Sequence, residues 1–241
     1  MFGKTVVSIL ILWISSVADS LNRLLRMLYK HFKMGHINAN SITGFKHAEI
    51  QKWLEASCFN LLVITETKLD HSFPANSQFE VKGFRMLGRD RNIHGGGVLM
   101  YFRSDIPYVR LRSLEQTSVI ECLAVKVKLA KSWTTLIGLY RSPTISKLMW
   151  TKDLSDVLEA ANVNSDSIFL LGDFNCDLLE PDKPPRAGRD LADIMEINGF
   201  INLIKHATRI TKSTETLLDL ILSNSRSRVL KAGDLHVQWS A

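Results

Sequence analysis

At 241 residues, with 46% hydrophobic and 22% charged residues, the chain is sized for one large globular domain, and no Pro-, Gly- or Ser-rich linker or internal repeat divides it. Its 30 Lys and Arg outnumber 24 Asp and Glu, and the resulting net charge of +6 and pI near 9.3 lean toward polyanionic partners. Cys58, Cys122 and Cys176 show no paired spacing and no C-x-x-C, which argues against a disulfide framework and a cysteine zinc site and fits a reducing compartment.

The chain begins with a positive charge at Lys4 and an apolar run from Val6 to Val17. Ser16-Val17-Ala18 then looks like a small-residue cleavage site, so residues 1–18 mimic a secretory signal. The run is too short to cross a bilayer alone, which takes about 20 apolar residues. Leu21, Leu24, Leu25, Leu28 and Phe32 follow at helical spacing, interleaved with Arg23, Arg26, Lys30 and Lys33. This predicts a basic amphipathic helix that lies on a membrane or on the domain.

From Gly35 onward strands and helices alternate. His36 to Asn40 reads as a short strand, and Lys46 to Ser57 puts Ile50, Trp53 and Leu54 on one helical face. Leu61 to Thr65 reads as a buried strand, Gly97 to Arg103 as a strand behind the Gly95-Gly96-Gly97 turn, and Leu123 to Leu129 as a half-buried strand. Trp133 to Tyr140 is its expected hairpin partner. Trp150, Leu154, Val157, Leu158 and Ala161 mark a helix, Ser167 to Leu171 a strand, and Leu191, Ile194 and Met195 a helix closed by Gly199. Leu217 to Leu222 is the last strong strand. Hairpins mixed with helical crossovers predict two packed sheets flanked by helices rather than one doubly wound sheet.

Polar groups stand at or beside these strand ends: Asn38, Asn40, Glu66, Tyr140, Asp173, Asn175 and Asp219. In Gly172-Asp173-Phe174-Asn175 an extended chain would point Asp173 and Asn175 the same way, with Phe174 turned into the core. The same four residues also read as a strand ending in an Asx-turn. Asp219, flanked by Leu217, Leu218, Leu220 and Ile221, must be paired or strongly hydrogen-bonded, because burying an isolated charge is costly. Arg85, Arg89, Arg91, Arg103, Arg110 and Arg112 crowd one stretch, which is either a polyanion-binding face or a solvated one.

In order, Ile37-Asn38-Ala39-Asn40-Ser41-Ile42, Ile64-Thr65-Glu66-Thr67, Gly138-Leu139-Tyr140, Gly172-Asp173-Phe174-Asn175 and Leu218-Asp219-Leu220-Ile221-Leu222 resemble the endonuclease/exonuclease/phosphatase superfamily, the deoxyribonuclease-I-like fold. Thr65-Glu66-Thr67-Lys68-Leu69, Gly95-Gly96-Gly97-Val98, Tyr140-Arg141-Ser142-Pro143 and Thr208-Arg209-Ile210-Thr211 look like the endonuclease domains of non-LTR retrotransposons. The resemblance covers residues 35–241 and leaves residues 1–34, the hydrophobic segment plus the basic helix, outside it. It implies an α/β fold, a four-layer α/β/β/α sandwich of two mixed sheets flanked by helices.

The resemblance also implies Mg²⁺-dependent hydrolysis of DNA phosphodiesters, with Mn²⁺ as an alternative ion. Glu66 would hold the metal with Asn38 as ligand or ligand-orienter, and oxygen ligands suit that hard cation. Asp173 would orient or deprotonate the attacking water, while Asn175 and Tyr140 would donate to the scissile phosphate. Asn40 would support Asn38 and Asp173 from behind. Asp219 would orient a histidine, and Arg89, Arg91, Arg141 and Arg209 would contact nucleic acid.

The chain departs from the pattern at its end. The family's Ser-Asp-His segment and the strand after it have no counterpart, since no Asp-His dipeptide follows Asp219 and Asp234 and His236 fall in the stretch that precedes the motif. The expectation is a fold lacking its last strand, with an unpaired sheet edge and impaired turnover. The alternatives are a catalytically inactive nucleic-acid-binding remnant and a phosphoesterase of the same fold acting on lipid or small phosphates. DNA is the expected partner, with no small-molecule cofactor and a monomeric state. The location would be nuclear or cytoplasmic, or the secretory pathway if residues 1–18 act as a signal, and the N-terminal segment would then touch membrane.

Overall fold

The computed structural model describes residues 6–15, 31–56, 59–70, 78–129, 132–180, 182 and 184–238; side chains are described within these except at 6–15, 31 and 234–238. The predicted strand over residues 61–65 is present as Leu61–Thr65 (β3), buried along its whole length. Its side chains alternate between two cores. Leu61 and Val63 join one apolar cluster, Leu62 and Ile64 the other. Val98–Arg103 (β5) does the same, with Val98, Met100 and Phe102 on one side and Leu99 and Tyr101 on the other.

The period of two therefore sorts residues into layers. The first sheet runs β14-β1-β2-β3-β5-β4, where β1 is Val6–Ser15, β2 His31–Asn38, β4 Phe84–Arg89 and β14 Val229–Gln238. The second runs β10-β13-β9-β8-β7-β6, where β6 is Tyr108–Arg110, β7 Glu121–Leu129, β8 Ser132–Tyr140, β9 Ser167–Asp173, β10 Ile201–Asn202 and β13 Asp219–Ser223. A separate hairpin pairs β11, Arg209–Ile210, with β12, Glu215–Thr216. Each large sheet contains parallel and antiparallel pairs: β2 with β3 and β8 with β9 are parallel, the other pairs antiparallel.

Helix α1, Phe45–Glu55, covers the outer face of the first sheet through Ile50 and Leu54. Helices α2, Lys147–Asn164, and α3, Arg186–Ile197, cover the second through Trp150, Leu154, Val157, Leu158, Leu191 and Ile194. Between the sheets β2, β3 and β5 face β7, β8 and β9. The result is the α/β/β/α sandwich of mixed sheets that the resemblance implies. The inter-sheet distance is short at Gly138, where a methyl group would come within 2.7 Å of Val63 Cγ1.

Two expectations about the ends change. Phe32 and Lys33, placed on the amphipathic helix by spacing, belong to β2; Phe32 and Met34 are buried while Lys33 between them is half-buried, and alternation overrides the helical reading there. The rest of that expected helix, residues 21–30, and the expected cleavage site at Ser16-Val17-Ala18 lie outside the described residues. The flank of β2 is not left open either, because Val6–Ser15 pairs antiparallel with it, Leu10 opposite His36, and pairs on its other side with β14. Among the described residues no helix is long and apolar enough to cross a membrane.

Candidate active site

Strand register brings the predicted polar groups into rows. Across β13, β9, β8 and β7, Asp219 lies opposite Asp173, Asp173 opposite Tyr140, and Tyr140 opposite Glu121. On the first sheet Asn38 ends β2 opposite Thr65, so Glu66 follows at the same rim. Asn38 joins the two rims. Its Nδ2 donates to Glu66 Oε1 at 3.0 Å and to Asp173 Oδ2 at 2.8 Å, while its Oδ1 accepts the Asn40 backbone N–H at 3.0 Å.

The loop carrying Glu66 is built from left-handed backbone. Asn40, Ser41, Glu66 and Lys68 all have positive φ, which non-glycine residues hold only when the surroundings over-determine it. Those surroundings are backbone hydrogen bonds: Ser41 N–H to Glu66 O at 2.7 Å, Ile42 N–H to Thr67 O at 3.0 Å, and Lys68 N–H to Gly96 O at 3.0 Å. The Gly95-Gly96-Gly97 turn is thus the seat of the Glu66 loop. A side chain at Gly97, φ 89°, would collide with the Thr67 hydroxyl. Glu121 anchors this turn by accepting the Gly97 N–H at 2.5 Å and the Arg91 guanidinium at 3.1 Å.

On the other side, β9 ends in an Asx-turn in which Asn175 N–H donates to Asp173 Oδ1 at 2.9 Å. Gly172 is required just before it, since any Cβ there would run into the Leu139 carbonyl of β8. Phe174 is buried, as alternation predicts. Asn175, however, has φ 47°, so it does not project beside Asp173 as an extended chain would; its Nδ2 donates to Arg141 O at 2.8 Å.

Burial and neighbouring negative charge set the electrostatics. Asp173 is only 4% exposed, and burial raises its carboxyl to about 7, opposed by the Asn175 N–H and reinforced by Glu66. Burial and then the Asp173 charge push Asp219 well above the usual carboxylate range. Tyr140 is pushed up to about 12 by burial, then by Glu66 and Asp173, so its phenol is a neutral donor at pH 7. His36, fully buried beneath the rim, is driven down to about 3 by burial and is neutral. Its Nε2 shares a 2.9 Å hydrogen bond with Thr65 Oγ1; its Nδ1 stands 3.7 Å from Asp219 Oδ1, and among the described residues neither of these last two atoms has a hydrogen-bond partner.

The donor set fits magnesium. Two carboxylates, Glu66 and Asp173, share a single amide; a divalent ion that takes one or two carboxylates and keeps several waters suits that arrangement. Among the described residues no group of three or more His, Cys, Asp and Glu side chains forms a metal cluster. Asn38 turns its N–H₂ toward both carboxylates, so here it orients them.

Asn40, expected to brace both Asn38 and Asp173, acts through its backbone on Asn38, and its side chain accepts Lys68 Nζ at 2.5 Å. Lys46 Nζ grips the same turn at Ala39 O, 2.6 Å, and Asn40 O, 3.0 Å. The expected nucleic-acid contacts divide. Arg89 turns inward to Glu115 O at 2.7 Å and Thr117 Oγ1 at 2.8 Å, and Arg141 is buried, so neither guanidinium offers itself to a phosphate. Arg91 is exposed, engaged with Glu121 and 5.7 Å from the Tyr140 ring. Arg209, at the start of the β11–β12 hairpin, is exposed and close enough to lower both Asp173 and Asp219.

Sequence reasoning missed His36, Lys46, Lys68, Glu121 and Thr208, whose Oγ1 accepts the Asp219 N–H at 3.0 Å. Only two carried a usable mark. His36 sits two residues before Asn38 on one strand, and Glu121 opens another whose next four residues, 122–125, are apolar.

A model described as the Endonuclease/Exonuclease/phosphatase family matches residues 35–240. Comparison with curated proteins gave no match. Among solved structures, the AP endonuclease LMAP from Leishmania major superposes with a TM-score of 0.67 at 12% identity, covering 88% of this chain and 85% of that one. The endonuclease domain of TRAS1, a telomere-specific non-LTR retrotransposon, gives 0.61 at 14% identity, with 79% and 84% covered. A point variant of the 3′ phosphatase NExo from Neisseria, bound to a product DNA hairpin, gives 0.61 at 17% identity, with 80% and 86% covered.

Proposed function

The chain belongs to the Endonuclease/Exonuclease/phosphatase family, and on that footing we propose that it is a magnesium-dependent DNA endonuclease domain of the retrotransposon type. The observation that carries this reading is the single amide of Asn38 holding Glu66 and Asp173 together at the joint rim of the two sheets. A structural salt-bridge network would place a basic group between two carboxylates; this rim places a neutral donor there and leaves the negative charge for a cation. Magnesium, when bound, neutralises phosphate oxygens and polarises the phosphoryl group.

The chain's own residues divide the remaining work. Glu66, on the rigid left-handed loop, would hold the ion, with Asn38 setting the carboxylate's orientation. Asp173, with one oxygen on Asn38 and the other on the Asn175 N–H, accepts the proton of the attacking water or orients that water; its raised affinity for protons suits it to general-base work near pH 7. Tyr140 donates to the scissile phosphate, where negative charge develops, whereas the Asn175 amide, with Nδ2 already on Arg141 O, keeps only its second hydrogen for that role. Arg209 and the exposed lysines contact the flanking strand, a salt-dependent and largely sequence-independent interaction.

DNA as substrate is supported by the neighbours, two of them named as endonucleases and the third bound to a product DNA hairpin. No Asp-His dipeptide occurs in residues 220–241, so these residues offer Asp219 no histidine of that segment, and the 241 residues by themselves turn over slowly. Such a group contributes about 10²- to 10⁴-fold.

The test is plasmid nicking. Purified protein nicks supercoiled DNA with Mg²⁺ at a low rate, and Asp173→Asn removes that activity. Salt-dependent DNA binding with no Mg²⁺-dependent nicking would replace the enzyme with a binding module.

A further inference from the structure

Arg141 follows β8 and, by its place in the sequence, reads as a surface contact. It is instead 5% exposed. A guanidinium does not give up its charge on burial, so its partners must compensate for lost water. Among the described residues no carboxylate pairs with it. Nη1 donates to Phe174 O at 3.3 Å and Asn175 O at 3.1 Å, the guanidinium carbon lies 4.7 Å from the centroid of the Trp150 ring, and Nε has no partner. The main chain of the same residue closes the grip: Arg141 N–H donates to Asp173 O at 3.0 Å, and Arg141 O accepts Asn175 Nδ2 at 2.8 Å.

One residue therefore touches Asp173, Phe174 and Asn175, and the segment it touches is strained. Asn175 holds φ 47°, a conformation a non-glycine residue keeps only when its neighbours fix both adjoining peptides. The guanidinium binds the carbonyls on either side of that φ, that of Phe174 before it and that of Asn175 after it. Trp150, buried at the start of α2, fixes the plane of the guanidinium from behind.

We propose that Arg141 is a positioning residue: it locks the Asp173–Asn175 turn so that the Asn175 N–H caps one Asp173 oxygen and leaves the other to Asn38. The kinetic consequence rests on the nuclease reading given above; the conformational one does not. Lysine keeps the charge but has no planar face to lie against the indole, so its flexible ammonium is not held in register with the two carbonyls. Methionine keeps an unbranched apolar chain without the charge.

Arg141→Lys and Arg141→Met are compared with the parent in two measurements, each variant first shown to be folded by circular dichroism. In Mg²⁺-dependent cleavage of a DNA duplex, kcat falls about 10- to 100-fold while KM and the salt dependence of DNA binding stay unchanged, as expected when a reacting group is misplaced. In amide hydrogen exchange, the Asn175 N–H loses protection while the β8 and β9 ladder keeps it. Preserved kcat with raised KM and a salt slope smaller by about 1 would make Arg141 a phosphate contact and overturn the proposal. Unchanged Asn175 exchange, or loss of protection spread evenly over β8 and β9, would overturn it equally. If the parent does not cleave DNA, the nuclease reading fails and the exchange measurement alone decides the role of Arg141.

Discussion

The two halves of the site are built on opposite principles. The Glu66 corner, on the first sheet, is half-exposed and held by backbone: positive-φ residues, hydrogen bonds to the glycine turn, and Lys46 and Lys68 on the Asn40 turn. The Asp173 corner, on the second sheet, is dry and crowded with carboxyl groups. Asp173 and Asp219 lie opposite each other in paired strands, both buried, both with raised proton affinity, and one Asp219 oxygen has no hydrogen-bond partner among the described residues. A solvated carboxylate on a rigid loop binds a hydrated cation with little desolvation cost, whereas a desolvated carboxylate gains basicity. On the proposed reading, burial separates metal holding from water activation, and Asn38 couples them.

The largest effect follows from cutting that coupling. Asn38→Ala leaves both corners in place but removes the shared amide, and Mg²⁺-dependent nicking falls about 10²-fold through misplacement of the two carboxylates; loss of less than about twofold would show the corners to be independent. A smaller effect separates the corners. Glu66→Gln keeps the size of the side chain and removes its charge, so the Mg²⁺ concentration for half-maximal cleavage rises about 10- to 100-fold in a metal titration, while DNA binding without metal is unchanged. The smallest concerns Arg209, the exposed cation beside the dry corner. Arg209→Ala lowers the slope of log affinity against log salt by about 1 and weakens binding modestly and evenly across DNA sequences.

The fold was legible because its central strands are apolar on both faces. Leu61–Thr65 and Ser167–Asp173 stand out by composition alone, and the three helices show their apolar spacing. Strands at sheet margins were not: Phe84–Arg89 carries Arg85, Gly88 and Arg89, Val229–Gln238 carries Gly233 and Asp234, and β6, β10, β11 and β12 are only two or three residues long. Their pairing comes from neighbours distant in sequence, which no local pattern reports.

The same distinction runs through the site. Asn38, Glu66, Asp173 and Asp219 were visible because each interrupts or ends an apolar run. Glu121, His36 and Thr208 act through register and loop closure, and their roles emerge only when β7 meets the glycine turn or β2 meets β13. Arg141 shows the limit most clearly, since a cation after a strand end reads equally well as outward or inward, and the indole of Trp150 decides.

The coupling of the two corners is tested most directly by single-turnover nicking rates, in Mg²⁺, for the parent, Glu66→Gln, Asp173→Asn and the double variant. Residues that work as one unit are strongly non-additive. The double variant is expected to be no slower than the slower single variant. Losses that multiply, or an Asp173→Asn protein that cleaves as fast as the parent, would contradict the assignment of Glu66 and Asp173 to one catalytic centre.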